Sequence, residues 1–335
     1  MLDKVAVIGA GSWGTTVAAV AAPSAPTVLW ARRPALAECL ERTHENPDYL
    51  PGVVLPDALA VTASLDEAVT GSSLVIMAVP SHGFRTVLSE LSGSLRAGTP
   101  VLSLAKGLEQ GTHLRMTEVI AQVVPGHPAG VLTGPNLARE IAAGQPAATV
   151  VAMADESLAR QVQEVLRTST FRVYTNPDVV GCEMAGATKN VLAIAAGILQ
   201  GLGLGDSSLA ALITRGLAEL GRLGVAMGGE RITIAGLAGV GDLVATCTST
   251  LSRNRMVGEQ LGRGRSLDEI MAEMRMVAEG VKTARPLLEL AATHGVEMPI
   301  GEQVAAVLEG VTSPSQAILT LMSRSAKPEF DGFEP

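Results

Sequence analysis

The sequence predicts a doubly wound α/β domain followed by an all-helical one. Short, continuous apolar runs alternate with helical patterns from Val5 onward, as they do in sheets covered on both faces. The first of these runs ends in a glycine-rich turn. After about Asn176 the strand signals stop and long helical patterns take over.

Val5-Ala6-Val7-Ile8 runs into Gly9-Ala10-Gly11-Ser12-Trp13-Gly14, and an alanine-rich helical pattern extends from Thr15 to about Ala22. Strand, GxGxxG and helix in that order form the Rossmann-type fingerprint. Gly9 makes the tight turn, Gly11 lets backbone N–H groups approach a diphosphate, and Gly14 lets helix and strand pack closely. The helix N-terminus then faces the anion. The second strand, Thr27-Val28-Leu29-Trp30, leads into Ala31-Arg32-Arg33 where an NAD-selective site usually carries Asp or Glu. Two guanidinium groups suit a 2′-phosphate, so NADPH is favoured with NADH as the alternative cofactor. Arg32 and Arg33 also read as solvated residues opening a helix.

Further strands follow at Leu59 to Thr62, Leu74 to Val79, Val101 to Leu104, Val131 to Thr133, Ala148 to Ala152 and Phe171 to Tyr174. They predict a mostly parallel sheet, whose ligands lie beyond the carboxyl ends of its strands. Lys106 and Gly134-Pro135-Asn136 stand at two such ends, although Lys106 also reads as a simple loop lysine.

In the helical part, Gly186 to Gly197 reads as a buried helix carrying Lys189 near its start. Desolvation disfavours a lone ammonium, so Lys189 either finds a partner and serves as a proton donor and acceptor, or snorkels to water. Thr214 to Gly224, Ser266 to Met274 and Val281 to His294 read as helices. A glycine-rich loop delivers Asp242, which suits a carboxylate partner and equally a helix cap. Ser252-Arg253-Asn254-Arg255 suits either a bidentate phosphate receptor or a polar helix start. The implied division is 1–180 for the dinucleotide-binding domain, 181–326 for a helical substrate domain and 327–335 for a loose tail.

Composition narrows the function. Of 335 residues, 47% are apolar and only 2% aromatic, so the cores must be built from Ala, Val, Leu and Ile. A net charge of −8 argues against a nucleic-acid partner. The dispersed Cys39, Cys182 and Cys247 suit a reduced cytoplasmic protein, and the histidines show no zinc-binding spacing, so no metal is expected. The N-terminus does not read as a secretory signal, and no apolar run is seen to approach the roughly 20 residues of a membrane span.

The motifs together resemble those of bacterial NAD(P)H-dependent glycerol-3-phosphate dehydrogenases. The match is carried by Val7 to Thr15, Asn46-Pro47-Asp48-Tyr49-Leu50-Pro51, Ala78-Val79-Pro80-Ser81 and Lys106-Gly107-Leu108-Glu109. It continues through Phe171 to Tyr174, Lys189-Asn190-Val191, Leu212 to Gly216, Gly241-Asp242-Leu243, Ser252 to Arg255 and Gly295 to Ile300. Asn136 departs from the Ser or Thr usual there, which implies altered contacts with activity kept.

The resemblance implies reversible hydride transfer between the nicotinamide and C2 of dihydroxyacetone phosphate, giving sn-glycerol 3-phosphate for glycerophospholipid synthesis. It implies Lys189 as general acid/base, Asp242 orienting its ammonium and Lys106 as a substrate and cofactor ligand, with these three as the catalytic set. Substrate contacts are implied for Gly134, Asn136, Asn190, Ser252, Arg253 and Asn254, with Arg253 as the phosphate clamp. Cofactor contacts are implied for Gly9, Gly11, Ser12, Trp13, Gly14, Arg32, Arg33, Ala138, Arg253, Val277 and Glu279. A homodimer is compatible with it. The alternatives are a β-hydroxyacid dehydrogenase-like enzyme, which typically spaces Lys and Asn four apart where this chain has Ala193, and a redox sensor that binds NADPH without catalysis.

Overall fold

The computed structural model describes residues 2–274, 278–326 and 328–329. Val277, expected beside the cofactor, and most of the expected tail, Lys327 and 330–335, lie outside the described residues. By its internal contacts the chain forms two compact units, Met1–Glu183 and Met184–Pro335. The division falls within the helix Val179–Gly201.

The first unit is built on strands β1 (Val5–Ile8), β2 (Thr27–Trp30), β3 (Glu45–Asn46), β4 (Leu50–Val54), β5 (Leu59–Thr62), β6 (Leu74–Met77), β7 (Val101–Ser103), β8 (Ala129–Thr133), β9 (Ala147–Met153) and β10 (Phe171–Asn176). Eight of them form one sheet in the order β10-β9-β8-β7-β6-β1-β2-β5. From β5 to β8 the strands are parallel, and β9 turns antiparallel to β8 with β10 parallel to β9. The chain therefore winds one way from β1 through β2 to β5 and the other way from β1 through β6 to β8. The reversal between β1 and β6 opens the crevice in which such sheets bind ligands.

Alternation within β1 explains its unbroken apolar run. Val5 and Val7 join one buried cluster with Leu29, Ile76 and Leu102, while Ala6 and Ile8 join another with Met77, Phe84 and Val101. Both faces are covered, so no position is left for a polar side chain. The β3–β4 pair had no strand signal beyond its motif, because a two-residue strand has no periodicity to read.

The second unit contains helices only among its described residues, including Asp206–Ala226, Asp242–Thr248, Arg253–Gly262, Glu279–Thr293 and Pro299–Leu308. Two stretches reach the length and apolarity of a membrane span without being unbroken apolar runs. The helix Val179–Gly201 has 23 residues and an 18-residue window of mean hydropathy 1.2, enough by length and composition to cross a membrane. The stretch Arg231–Thr248 meets the same measure. Reading only unbroken apolar runs hid both, since Glu183 and Lys189 interrupt the first. That helix's apolar window is 89% buried within the protein, which is how a core helix satisfies its apolar faces.

Candidate active site

The glycine turn in the first unit is shaped by contact. Gly9 has φ +120°, and a Cβ there would lie 2.7 Å from the Ala78 carbonyl oxygen at the end of β6. A Cβ on Gly14 would lie 2.0 Å from the Gly9 carbonyl oxygen. Around Gly11, by contrast, a Cβ would meet nothing within 4 Å. The turn is closed against the sheet at Gly9 and Gly14 and open at Gly11, which is the N-cap of the helix Ser12–Ala21. That helix has no acidic residue in its own first turn to offset the partial positive charge of its N-terminus. The loop fits a dinucleotide diphosphate.

Trp13 stacks edge-on against Phe171 with ring centroids 6.3 Å apart, and its buried Nε1 has no hydrogen-bond partner among the described residues. Thr16 Oγ1 lies 3.3 Å from the Ala138 carbonyl oxygen, which brings that expected cofactor-side residue against the same helix. Arg33 pairs with Asp48 and its guanidinium carbon lies 5.8 Å from the Tyr49 ring centroid. The Asp48 bond raises the Arg33 pKa above its ordinary value. Arg32 is exposed.

At the ends of β7 and β8, Lys106 Nζ donates to the Gly134 carbonyl oxygen at 2.8 Å, and the Asn136 N–H donates to the same oxygen at 2.7 Å. Thr149 Oγ1 gives its single proton to the Thr133 carbonyl, so it accepts from Asn136 Nδ2 at 2.9 Å. That fixes the Asn136 amide and leaves its buried Oδ1 as an acceptor without a partner among the described residues. Glu109, in the loop after Lys106, takes a two-pronged bond from Arg85 at 2.7 and 2.8 Å. Its carboxyl is pulled down first by that bond.

In the second unit the Lys189 side chain is 8% exposed and the Asp242 side chain 3%, with Nζ 3.3 Å from Asp242 Oδ1. Snorkelling to water is thus not what this lysine does. Asp242 opens the helix Asp242–Thr248 after a π-helical turn at Leu237–Gly241. It is not the cap: Gly241 occupies that position. Thr246, four residues on and on the same helical face, accepts from Lys189 Nζ at 2.8 Å and donates to the Asp242 carbonyl oxygen at 2.6 Å. Ammonium, hydroxyl and carboxylate form one buried group. Cys247 beside it is held as a thiol, pushed up to about 12 by burial.

Ser252 caps the helix Arg253–Gly262 by accepting the Arg255 N–H. Asn254 donates to Asn190 Oδ1 at 2.8 Å and accepts the Gly280 N–H at 3.0 Å, next to Glu279. Arg253 remains exposed on that turn. Glu279 lies near enough to favour the charged form of Arg253. The cluster is therefore a helix start and a guanidinium platform at once.

Glycines missed as site elements bring these helices together. A Cβ on Gly197 would lie 1.9 Å from the Arg255 carbonyl oxygen, and one on Gly258 would lie 1.9 Å from that of Ile194. The helix bearing Lys189 and Asn190 thus packs backbone to backbone on the helix bearing Arg253 and Asn254. The four-residue spacing in Gly197-x-x-x-Gly201 and Gly258-x-x-x-Gly262 was the available signal.

Residues 4–159 match the N-terminal domain of NAD-dependent glycerol-3-phosphate dehydrogenase, and residues 178–319 match its C-terminal domain. The chain belongs to the NAD-dependent glycerol-3-phosphate dehydrogenase family. Within this family it is 54% identical to a glycerol-3-phosphate dehydrogenase (NAD(P)+) of Sphingopyxis alaskensis, over 97% of this chain and 98% of that one. It is also 54% identical to the enzyme of that name from Thermobifida fusca, over 98% and 99%. The crystal structure of glycerol-3-phosphate dehydrogenase from Coxiella burnetii superposes with a TM-score of 0.92 at 38% identity, covering 96% of this chain and 99% of that one. The expected family and fold class are borne out by these likenesses.

Proposed function

We infer that this chain reduces dihydroxyacetone phosphate to sn-glycerol 3-phosphate with NADPH or NADH, in a reversible reaction that feeds glycerophospholipid synthesis. The buried Lys189–Thr246–Asp242 group, in a chain matched to the dehydrogenase family in both halves, carries this reading. Residues 1–180 hold the cofactor, and residues 181–326 supply the proton and the phosphate receptor.

A bound reduced nicotinamide supplies the hydride that reaches C2. Negative charge then grows on the C2 oxygen, and the Lys189 ammonium stabilises that oxygen and gives it a proton. Asp242 stays ionised and, with the Thr246 hydroxyl, holds Nζ in one place through the transfer. Lys106 serves as a ligand of substrate and cofactor, and Gly134, Asn136 and Asn190 as substrate contacts. Arg253 grips the phosphate, whose remote binding energy orients the carbonyl. Ser252 and Asn254 support this by holding the turn and the start of the helix Glu279–Thr293. Gly9, Gly11, Ser12, Trp13, Gly14, Ala138 and Glu279 serve as cofactor contacts, and Arg32 with Arg33 favours NADPH. Neither the β-hydroxyacid dehydrogenase reading nor the sensor reading is favoured by the family match.

Deuterium placed on the reactive face of nicotinamide C4 tests the assignment. It is expected at C2 of sn-glycerol 3-phosphate by NMR; label retained in the cofactor or lost to solvent contradicts direct hydride transfer.

A further inference from the structure

Strand β3 ends on a buried amide, Asn46, that is bonded at both its nitrogen and its oxygen. Asn46 is 0% exposed. Its Nδ2 donates to the Ala10 carbonyl oxygen at 3.0 Å and to Thr15 Oγ1 at 2.8 Å, while its Oδ1 accepts the Tyr49 N–H at 3.2 Å. Ala10 can only accept and Tyr49 can only donate, so the amide has one orientation. We propose that Asn46 is a positioning residue for the cofactor, aiming the diphosphate-binding loop by pinning Ala10 and Thr15 together. The assignment rests on the dinucleotide reading above.

Planarity of the peptide carries the argument. None of the described peptide bonds is cis, so the Ala10 carbonyl and the Gly11 N–H point in opposite directions from one rigid plane. Anchoring the oxygen on Asn46 therefore aims the Gly11 N–H away from Asn46. Gly11 is the open residue of the turn, with nothing within 4 Å of a would-be Cβ. Thr15 lies in the first turn of the helix that follows, its N–H bonded to the Gly11 carbonyl oxygen at 2.9 Å. One side chain thus sets both the peptide plane of the loop and its register on the helix. Without it, Gly11 has no side chain to restrict its rotation, and binding an anion would require ordering the loop.

Asn46→Asp is nearly isosteric, yet it replaces two N–H donors by an oxygen facing the Ala10 oxygen. The experiment titrates NADPH and NADH into the full chain, following nicotinamide fluorescence, with thermal melts and steady-state kinetics alongside. Both dissociation constants should rise about 10–100-fold and by the same factor, as loss of two buried hydrogen bonds implies. KM for dihydroxyacetone phosphate should change less than about threefold, and kcat at saturating cofactor should fall less than affinity does. Thr15→Val should weaken both dinucleotides about 3–10-fold, and Thr15→Ser, which keeps the hydroxyl, should restore binding.

A folded Asn46→Asp chain that binds dinucleotide as the wild type does overturns the assignment. So does a loss shared equally by cofactor affinity, substrate KM and melting temperature, which marks a merely structural residue. If Asn46→Asp does not fold, the Thr15→Val and Thr15→Ser pair decides by the same readouts. A wild-type chain that binds neither dinucleotide overturns the functional reading itself, a result distinct from normal wild-type binding with an insensitive Asn46.

Discussion

Lys189 Nζ stands 3.3 Å from Asp242 Oδ1 with both side chains almost sealed from solvent. Each charge is expensive to bury alone and tolerable only beside the other, so the pair has to be treated as a unit. Thr246 completes it by accepting from the ammonium and donating to the backbone of Asp242.

Lys189→Met should lower kcat by roughly 10²–10⁴-fold, the usual contribution of a positioned proton donor, with dinucleotide binding preserved. It should also destabilise the chain by roughly 3–5 kcal/mol, because Asp242 is left as an uncompensated buried charge. Adding Asp242→Asn should recover part of the stability and none of the turnover. Denaturant melts and steady-state kinetics on the two variants check this, and recovered turnover in the double variant would remove Lys189 from the chemistry.

Arg33 is engaged by Asp48 at the surface, where an ion pair is worth at most about 1 kcal/mol, so it can be redirected to a ligand phosphate. Replacing Arg32 and Arg33 by Ala should weaken NADPH binding about tenfold or more beyond any effect on NADH. Equal losses in a fluorescence titration would show that neither guanidinium reads the 2′-phosphate.

Glu219 accepts the Ile300 and Gly301 N–H groups at the start of the helix Pro299–Leu308, at 2.7 and 3.2 Å. Burial nevertheless pushes its carboxyl up to about 7. A folded pKa above the unfolded one means that the folded state binds the extra proton. Its stabilising contribution is thus complete below about pH 4.5 and is lost as pH rises through about 7, by roughly 3 kcal/mol. Glu219→Gln should flatten the dependence of melting temperature on pH between these limits. An unchanged slope would assign the titration elsewhere.

Gly258→Ala places a methyl group 1.9 Å from the Ile194 carbonyl oxygen, which must push two helices apart. It should cost roughly 1–3 kcal/mol or more and raise the substrate KM by displacing Arg253. Gly93→Ala, with nothing within 4 Å, is the control and should leave the urea midpoint nearly unchanged.

Much of this molecule can be read from its residues because most of its signals are local. A strand ending in GxGxxG, or Lys189 alone among small apolar residues, announces itself within a dozen positions. The partners of these residues are a different matter. Asn46 reaches Ala10 and Thr15 across 36 and 31 residues, and Asn254 reaches Asn190 across 64. No periodicity encodes such pairings, which exist only once the fold closes the loops between them. Thr246 was nearer to legible: its four-residue offset from Asp242 puts both on one face as soon as that stretch is known to be helical. The opposed β9 was not legible, since a buried apolar strand looks the same in either direction.

The most direct test mixes the chain with NADPH and dihydroxyacetone phosphate and follows the near-ultraviolet absorbance of the reduced nicotinamide. NADH and unphosphorylated dihydroxyacetone serve as comparisons. Rapid oxidation that depends on the substrate's phosphate and yields sn-glycerol 3-phosphate is the predicted result. NADPH that binds and stays reduced, with either substrate, would contradict the catalytic reading and favour the sensor.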